Sequence, residues 1–230
     1  MGAPEAVIFD VDGTLLNWDA SIHNALIAVQ AEYEVLASAE LVRAFPLAVT
    51  DYAFVIRGGF VADRRHWMLF VDPLPPWRRV LPGMDDGTVT AIAHRFRSLL
   101  RPVRYDDVLP ALAALRSQHR LAVLSNNPRV ETVVEQLGIR HFFEAVVAAP
   151  EGYRKPDPRA FLETCDAIGA KPGDCAYVGD SLLADVAGAQ GAGLNAVFLD
   201  RYSDGHPLPA GVSRITALED LLRLFAPGPR

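Results

Sequence analysis

The chain has 230 residues, half of them apolar and 22% charged, with 22 basic and 28 acidic side chains giving a net charge of −6. That composition excludes a disordered chain, and a chain this long buries roughly 72% of its unfolded surface without cross-links. The acidic balance, spread without long runs of one sign, repels phosphate backbones and anionic lipid, so nucleic acid and membrane surfaces are not expected partners. Cys165 and Cys175 are too few for a disulfide framework and lack metal-ligand spacing, so they read as free thiols in a reducing compartment. With no apolar run of roughly 18 residues and no signal-peptide pattern after Met1, a soluble cytoplasmic protein is expected.

The first predicted element is a buried strand, Ala6-Val7-Ile8-Phe9, stopped by Asp10-Val11-Asp12-Gly13-Thr14. Helical spacing follows over Ala20 to Ala37, Ala39 to Val55, Gly59 to Val71 and Thr88 to Leu100. The proline-rich stretch Asp72-Pro73-Leu74-Pro75-Pro76-Trp77 is expected to be a loop. Beyond Pro102 the texture alternates. A helix over Asp106 to Gln118 leads to a strand Leu121 to Leu124 ending at Ser125, and Asn127 is placed to cap a helix that Gly138 closes. Strands at Ala145 to Ala148, Ala176 to Gly179 and Ala196 to Leu199 alternate with helices at Asp157 to Ile168 and Leu182 to Gly191. Such alternation predicts a parallel α/β sheet whose first strand is followed by a helical insertion.

The chemically capable residues fall at the C-terminal ends of these strands, the edge where open α/β sheets bind ligands. Asp10 and Asp12 follow the first strand, Ser125 and Asn126 the second, Lys155 lies in the loop after the third, and Asp180 and Asp185 follow the fourth. Asp12-Gly13 is also a hairpin signal, but that reading would leave Asp10 unpartnered at the end of a wholly apolar strand, which is costly. An EF-hand loop is excluded because Gly13 falls at the fourth position of the motif, not the sixth. Taken singly, Ser125-Asn126-Asn127 reads better as a helix cap, Lys155-Pro156-Asp157-Pro158 as a loop with a solvated lysine, and Gly179-Asp180-Ser181 with Asp185 as a helix start. What decides is the set, in this order, on one sheet edge.

In that order the four segments Asp10-Val11-Asp12-Gly13-Thr14-Leu15, Leu124-Ser125-Asn126, Tyr153 to Pro158 and Val178 to Asp185 closely resemble the haloacid dehalogenase-like (HAD) hydrolase superfamily. The resemblance implies a Rossmann-like parallel sheet of order 3-2-1-4-5, built from residues 1–16 and 104–230, with residues 17–103 as an inserted α-helical cap. It implies that Asp10 is the nucleophile attacking phosphorus and that Asp12 is the general acid/base. Mg²⁺ would be held through Asp10, Asp180 and the main-chain carbonyl of Asp12. Lys155, Ser125 and the Asn126 amide would bind phosphate oxygens, as the Val11 main-chain N–H would also, and Asp185 would orient Lys155 or a metal-bound water.

Within the superfamily, dehalogenases and phosphonatases lack an acid two residues after the first aspartate, and Asp12 stands there. The expected activity is therefore a Mg²⁺-dependent phosphatase acting on a small phosphorylated metabolite. A phosphomutase is the alternative, then a 2-haloacid dehalogenase. Outside the enzymes, a receiver-like signalling domain or a silent phosphate-binding module would share some of these residues, but the chain is about twice the length of a receiver domain. Arg57, Arg64 and Arg65 are the candidate cap contacts for a polar substrate, and with Arg78 and Arg79 they read equally as a solvated helix face. Neither the substrate nor the oligomeric state is legible.

Overall fold

The computed structural model describes residues 2–36, 44–45, 74–203, 205 and 207–226. The chain divides into two compact units, residues 1–16 with 104–230, and residues 17–103. The first unit is built on six strands, β1 (Ala6–Phe9), β2 (Arg120–Ser125), β3 (Ala145–Ala148), β4 (Cys175–Gly179), β5 (Asn195–Leu199) and β6 (Ser213–Ile215). Helices α1 (Trp18–Glu32), α2 (Leu74–Val80) and α3 (Asp86–Leu99) belong to the second unit. Helices α4 (Val108–Leu115), α5 (Val130–Gln136), α6 (Pro158–Ala167), α7 (Gly188–Gly191) and α8 (Asp220–Leu224) accompany the sheet.

The sheet runs β3-β2-β1-β4-β5-β6, with every neighbouring pair parallel. Every residue of β1 and β4 is buried, which is why these strands read as unbroken apolar runs and not as alternating ones. Register does the positioning. Phe9 lies beside Val123 on one side and Val178 on the other, so the ends of β2, β1 and β4 emerge side by side. The core on one face gathers Ile8, Leu124, Phe161, Tyr177 and Phe198 with Cys165 and Cys175. The two thiols are free and buried, with their sulfurs 3.7 Å apart.

The order expected for the first five strands is the order found, and β6 extends it beyond β5. Three elements differ from the sequence reading. The Pro-rich stretch after residue 73 is not a loop but the start of α2, with Pro75 and Pro76 in the first turn, where missing N–H groups cost nothing. Asn127 accepts from the Arg129 N–H at 2.9 Å and closes a local turn, and the helix starts later, at Val130. The segment Leu182–Ala187 is a π-helical turn that passes into α7 only at Gly188.

In the second unit, Ile22, Ala25, Leu26 and Val29 of α1 and Val89, Ile92, Ala93 and Phe96 of α3 are buried at helical spacing. They surround Trp77, whose ring centroid lies 4.5 Å from that of Phe45 and 5.4 Å from that of Phe96. Asn17 and Asp85 cap the two helices by accepting from the N–H groups of Ala20 and Thr88. Apart from residues 44–45, the helices expected over Ala39 to Val55 and Gly59 to Val71 lie outside the described residues. No helix among the described residues is long and apolar enough to cross a membrane.

Candidate active site

Asp10 is the first residue beyond β1, and its main-chain N–H donates to the Val178 carbonyl of β4 at 2.9 Å. Its Oδ1 accepts from the Lys155 ammonium at 2.6 Å. Lys155 arrives from the loop after β3, and two further bonds absorb its remaining protons, to Asp185 Oδ1 at 2.7 Å and to the Tyr177 hydroxyl at 2.8 Å. Both lysine and aspartate are buried, so the ammonium works here as a fixed charge on a rigid mount. The mount includes Asn126. Its side-chain Nδ2 donates to the Lys155 carbonyl at 3.1 Å while its Oδ1 accepts from the Lys155 N–H at 2.9 Å. The Asn126 side chain is therefore occupied in clamping the lysine loop.

Beyond Asp10 the chain turns sharply: the Val11 carbonyl accepts from the N–H groups of Thr14, Leu15 and Leu16. Gly13 makes the turn possible at φ +87°, and a Cβ there would lie 2.3 Å from Asp180 Oδ2, so only glycine admits this approach. The turn carries Asp12 and Thr14 back to the sheet edge. Asp12 Oδ2 accepts from the Ser125 hydroxyl at 3.3 Å, and the Thr14 hydroxyl donates to Asp180 Oδ1 at 3.2 Å.

Asp185 owes its place to the π-helical turn after β4. The wider turn brings it back under the strand end, where its Oδ2 accepts from the Ser181 N–H at 2.9 Å. A Cβ on Gly179 would come within 2.4 Å of that carboxylate, so the strand must end in glycine for Asp185 to fit. Asp10, Asp180 and Asp185 can each offer one oxygen within 4.8 Å of the others.

The electrostatics follow from crowding. Burial pushes the Asp10 carboxyl up from 3.8 to about 7; Lys155 pulls it back, while Asp185 and Asp12 add to the rise. Burial likewise lifts Asp180 well above the usual carboxylate range, helped by Asp10 and Asp185. Burial works against the charge of Lys155, but Asp10 and Asp185 outweigh it and hold the ammonium well above the ordinary lysine range. The tyrosine hydroxyl is pushed up by burial as well. Such a cluster, rich in hard oxygen donors and short of positive charge, fits a small divalent cation such as Mg²⁺.

The structure thus brings Asp10, Asp12, Ser125, Asn126, Lys155, Asp180 and Asp185 to one sheet edge. Two residues of the site had no role in the sequence reading. Thr14 bonds Asp180, and the buried Tyr177 links Lys155 to the β2 main chain by donating to the Leu124 carbonyl at 3.0 Å. Arg57, Arg64 and Arg65 lie outside the described residues. Arg78 pairs with Asp86 at 3.3 Å on an exposed surface.

A parallel sheet that delivers carboxylates and a buried lysine to one edge defines a Rossmann-like α/β protein with a charged site at the C-terminal ends of its strands. The chain belongs to the haloacid dehalogenase-like hydrolase family, which it matches over residues 4–193. Among curated relatives, the glyceraldehyde 3-phosphate phosphatase of Methanopyrus kandleri is 32% identical, the alignment covering 88% of each chain. The N-acylneuraminate-9-phosphatase of Rattus norvegicus is 27% identical over 95% of this chain and 93% of its own. Among solved structures, a HAD hydrolase of Bacillus subtilis bound to magnesium shares the fold, with a TM-score of 0.75 at 18% identity, over 97% of this chain and 99% of the other.

Proposed function

We propose that the protein is a Mg²⁺-dependent phosphoric monoester hydrolase that transfers the phosphoryl group of a small phosphorylated metabolite to Asp10 and then to water. The observation that carries this reading is the pairing of Asp10 with Lys155 at 2.6 Å, beside a second acid, Asp12, two residues on. A carboxylate held in line by a buried ammonium is a nucleophile with its orientation fixed. The acid two residues later serves a leaving alkoxide, which a departing halide would not need. The curated relatives, phosphatases of small phosphorylated metabolites, support the same class.

Asp10 and Asp180, with the Asp12 main-chain carbonyl, would hold Mg²⁺. Bound there, it would neutralise phosphate charge and favour the ionised form of Asp10. In the first step a carboxylate oxygen of Asp10 attacks phosphorus, the bond to the ester oxygen breaks, and Asp12 gives its proton to the departing alkoxide. In the second, Asp12 takes a proton from water as that water attacks phosphorus, and the Asp10–phosphorus bond breaks to release inorganic phosphate. Lys155 stabilises the negative charge that gathers on the transferring group, and the Ser125 hydroxyl, which donates to Asp12, would donate instead to a phosphate oxygen once substrate is bound. Asp185, bonded to Lys155 and to the Ser181 N–H, keeps the ammonium in place.

Residues 17–103 are the cap in this reading, the part that distinguishes one leaving group from another. The chain leaves the core after Leu16 and returns at Arg104, and a β-bridge joins those two residues. The function is tested by measuring phosphate release from a panel of phosphorylated metabolites, with Mg²⁺ and with excess chelator. Turnover of at least one sugar or hydroxyacid phosphate that stops with chelator and returns with added Mg²⁺ is expected. Full turnover in chelator would refute the metal-assisted route, and no turnover of any phosphate ester would refute the phosphatase.

A further inference from the structure

A further, partly buried ion pair stands near this site, and the reaction described above does not use it. Arg201 lies just beyond β5, and its Nη1 and Nη2 donate to the two oxygens of Asp107 at 3.0 and 3.1 Å. The side chains are only 10% and 14% exposed. Nη2 also donates to the Thr14 carbonyl at 2.7 Å, and the guanidinium carbon sits 3.7 Å from the centroid of the Tyr105 ring. Asp107 is fixed in turn, since its Oδ2 accepts from the Leu218 N–H at 2.8 Å. The hydroxyl of Thr14, a fully buried residue, donates to Asp180 Oδ1. An unbroken series of bonds therefore runs from Asp107 through Arg201 and Thr14 to Asp180.

The arrangement is expensive. The Arg201 Nε is buried with no hydrogen-bond partner among the described residues, a cost that an apolar side chain of similar volume would avoid. What only arginine supplies is a planar fork that grips a carboxylate with two N–H groups while one of them also reaches a carbonyl. That carbonyl belongs to the turn pressed against Asp180, where even the Cβ of a residue at 13 would collide with the carboxylate.

We infer that Arg201 is a positioning residue for Asp180, acting through Thr14, and that its loss weakens Mg²⁺ binding. This rests on the reading of Asp180 as a Mg²⁺ ligand. A purely electrostatic influence would have the opposite sign, because removing a positive charge near an acidic cluster tightens the binding of a cation.

The test is calorimetric titration of the full chain with Mg²⁺ alone, for wild type, Arg201→Met, Arg201→Lys, Thr14→Val and the Arg201→Met/Thr14→Val double variant, with melting curves taken alongside. Each single substitution should raise the dissociation constant by about 10–100-fold, the range for losing a group that orients a metal ligand. Arg201→Lys, which keeps the charge but not the fork, should weaken binding too. The double variant should bind within about twofold of Thr14→Val, because both changes break one route. In turnover, Arg201→Met should raise the Mg²⁺ concentration for half-maximal rate while its kcat at saturating Mg²⁺ stays within about threefold.

Unchanged or tighter binding by Arg201→Met, or effects that multiply in the double variant, would overturn the inference while leaving the metal reading intact. If Arg201→Met does not fold, wild-type binding by Arg201→Lys overturns it equally. No binding by wild type would remove the metal reading and this inference together.

Discussion

Replacing Tyr177 by phenylalanine deletes one oxygen from the middle of the first unit and leaves the ring packed where it was, edge-on to Phe161 at 4.8 Å. The bond accepted from Lys155 at 2.8 Å goes with that oxygen, and so does the hydroxyl's donation, shared between the Leu124 carbonyl at 3.0 Å and Asp185 Oδ1 at 3.2 Å. The ammonium keeps Asp10 and Asp185 but holds its third proton against apolar surroundings. A hydrogen bond to a charged group contributes about 1.5–3 kcal/mol and a neutral one about 1, and part of this is offset because no hydroxyl need be desolvated. A net loss of about 2–3 kcal/mol follows, which lowers the melting temperature of a chain this size by roughly 4–12 °C. Turnover should fall as well, by about tenfold in kcat, since a lysine freed of one tether holds Asp10 less rigidly; that corresponds to about 1.4 kcal/mol on the barrier. The assay is a melting curve with chelator at pH 7, paired with phosphate release at saturating Mg²⁺. A variant melting within about 1 °C of wild type would show that the hydroxyl bears no share of the ammonium, and the account of Lys155 as a fixed charge would fall with it.

Two further substitutions separate the roles of the paired aspartates. Asp10→Asn should leave less than about a thousandth of wild-type kcat, and it should also change the pH dependence of stability. Without metal, burial holds the Asp10 carboxyl at about 7 in the folded chain against 3.8 in the unfolded one. The folded state therefore binds this proton more tightly, and its stabilisation, complete below 3.8, is lost as pH rises to about 7. Melting temperatures in chelator at pH 5 and pH 8 should differ less in Asp10→Asn than in wild type, and equal differences would show that Asp10 does not titrate in that window. Asp12→Asn should slow hydrolysis of an alkyl phosphate more than that of p-nitrophenyl phosphate, whose leaving group needs little protonation. Equal losses on the two esters, measured as kcat, would exclude Asp12 as the proton donor.

The parts of the fold that could be read from the sequence are those set by local pattern. Fully buried strands announce themselves as apolar runs, and their order follows once the four motifs are matched to a family. Strand β6 escaped because it has three residues with the exposed Arg214 at its centre, so no alternation can register. Helix α2 escaped for the opposite reason: prolines that break a helix interior are harmless in its first turn, and sequence alone does not say which turn they occupy. The site followed the same division. Asp10, Asp12 and Asp180 stand just beyond apolar strands, and Lys155 and Asp185 fall in the segments that the family resemblance marks, whereas Tyr177 lies inside the run Ala176-Tyr177-Val178 and reads as a core aromatic. Its polar duty depends on a lysine 22 residues away and on the carbonyl of a different strand. The Asn126 clamp and the π-helical turn under Asp185 are likewise products of tertiary contact.

What holds each carboxylate in the site is a group from another strand end or from the turn that follows its own strand. Asp10 is held by Lys155 from beyond β3, Asp12 by Ser125 from β2, Asp180 by Thr14 from beyond β1, and Asp185 by Ser181 and Lys155. Only the Ser181–Asp185 contact lies within one motif; every other support crosses between motifs. The geometry is therefore a property of strand order and register, with β1 between β2 and β4 and Phe9 level with Val123 and Val178. A slip of one residue in either pairing would turn the side chains of that strand to the opposite face and separate the pairs that cross it. The register is protected by burial, since all four residues of β1 are inaccessible and a slipped strand would have to bring Asp10 into the apolar layer. The carboxylate that makes the site reactive thus also penalises misregistered pairings of the strand that carries it. The penalty falls on β1, the strand whose displacement would dismantle the most contacts in the site.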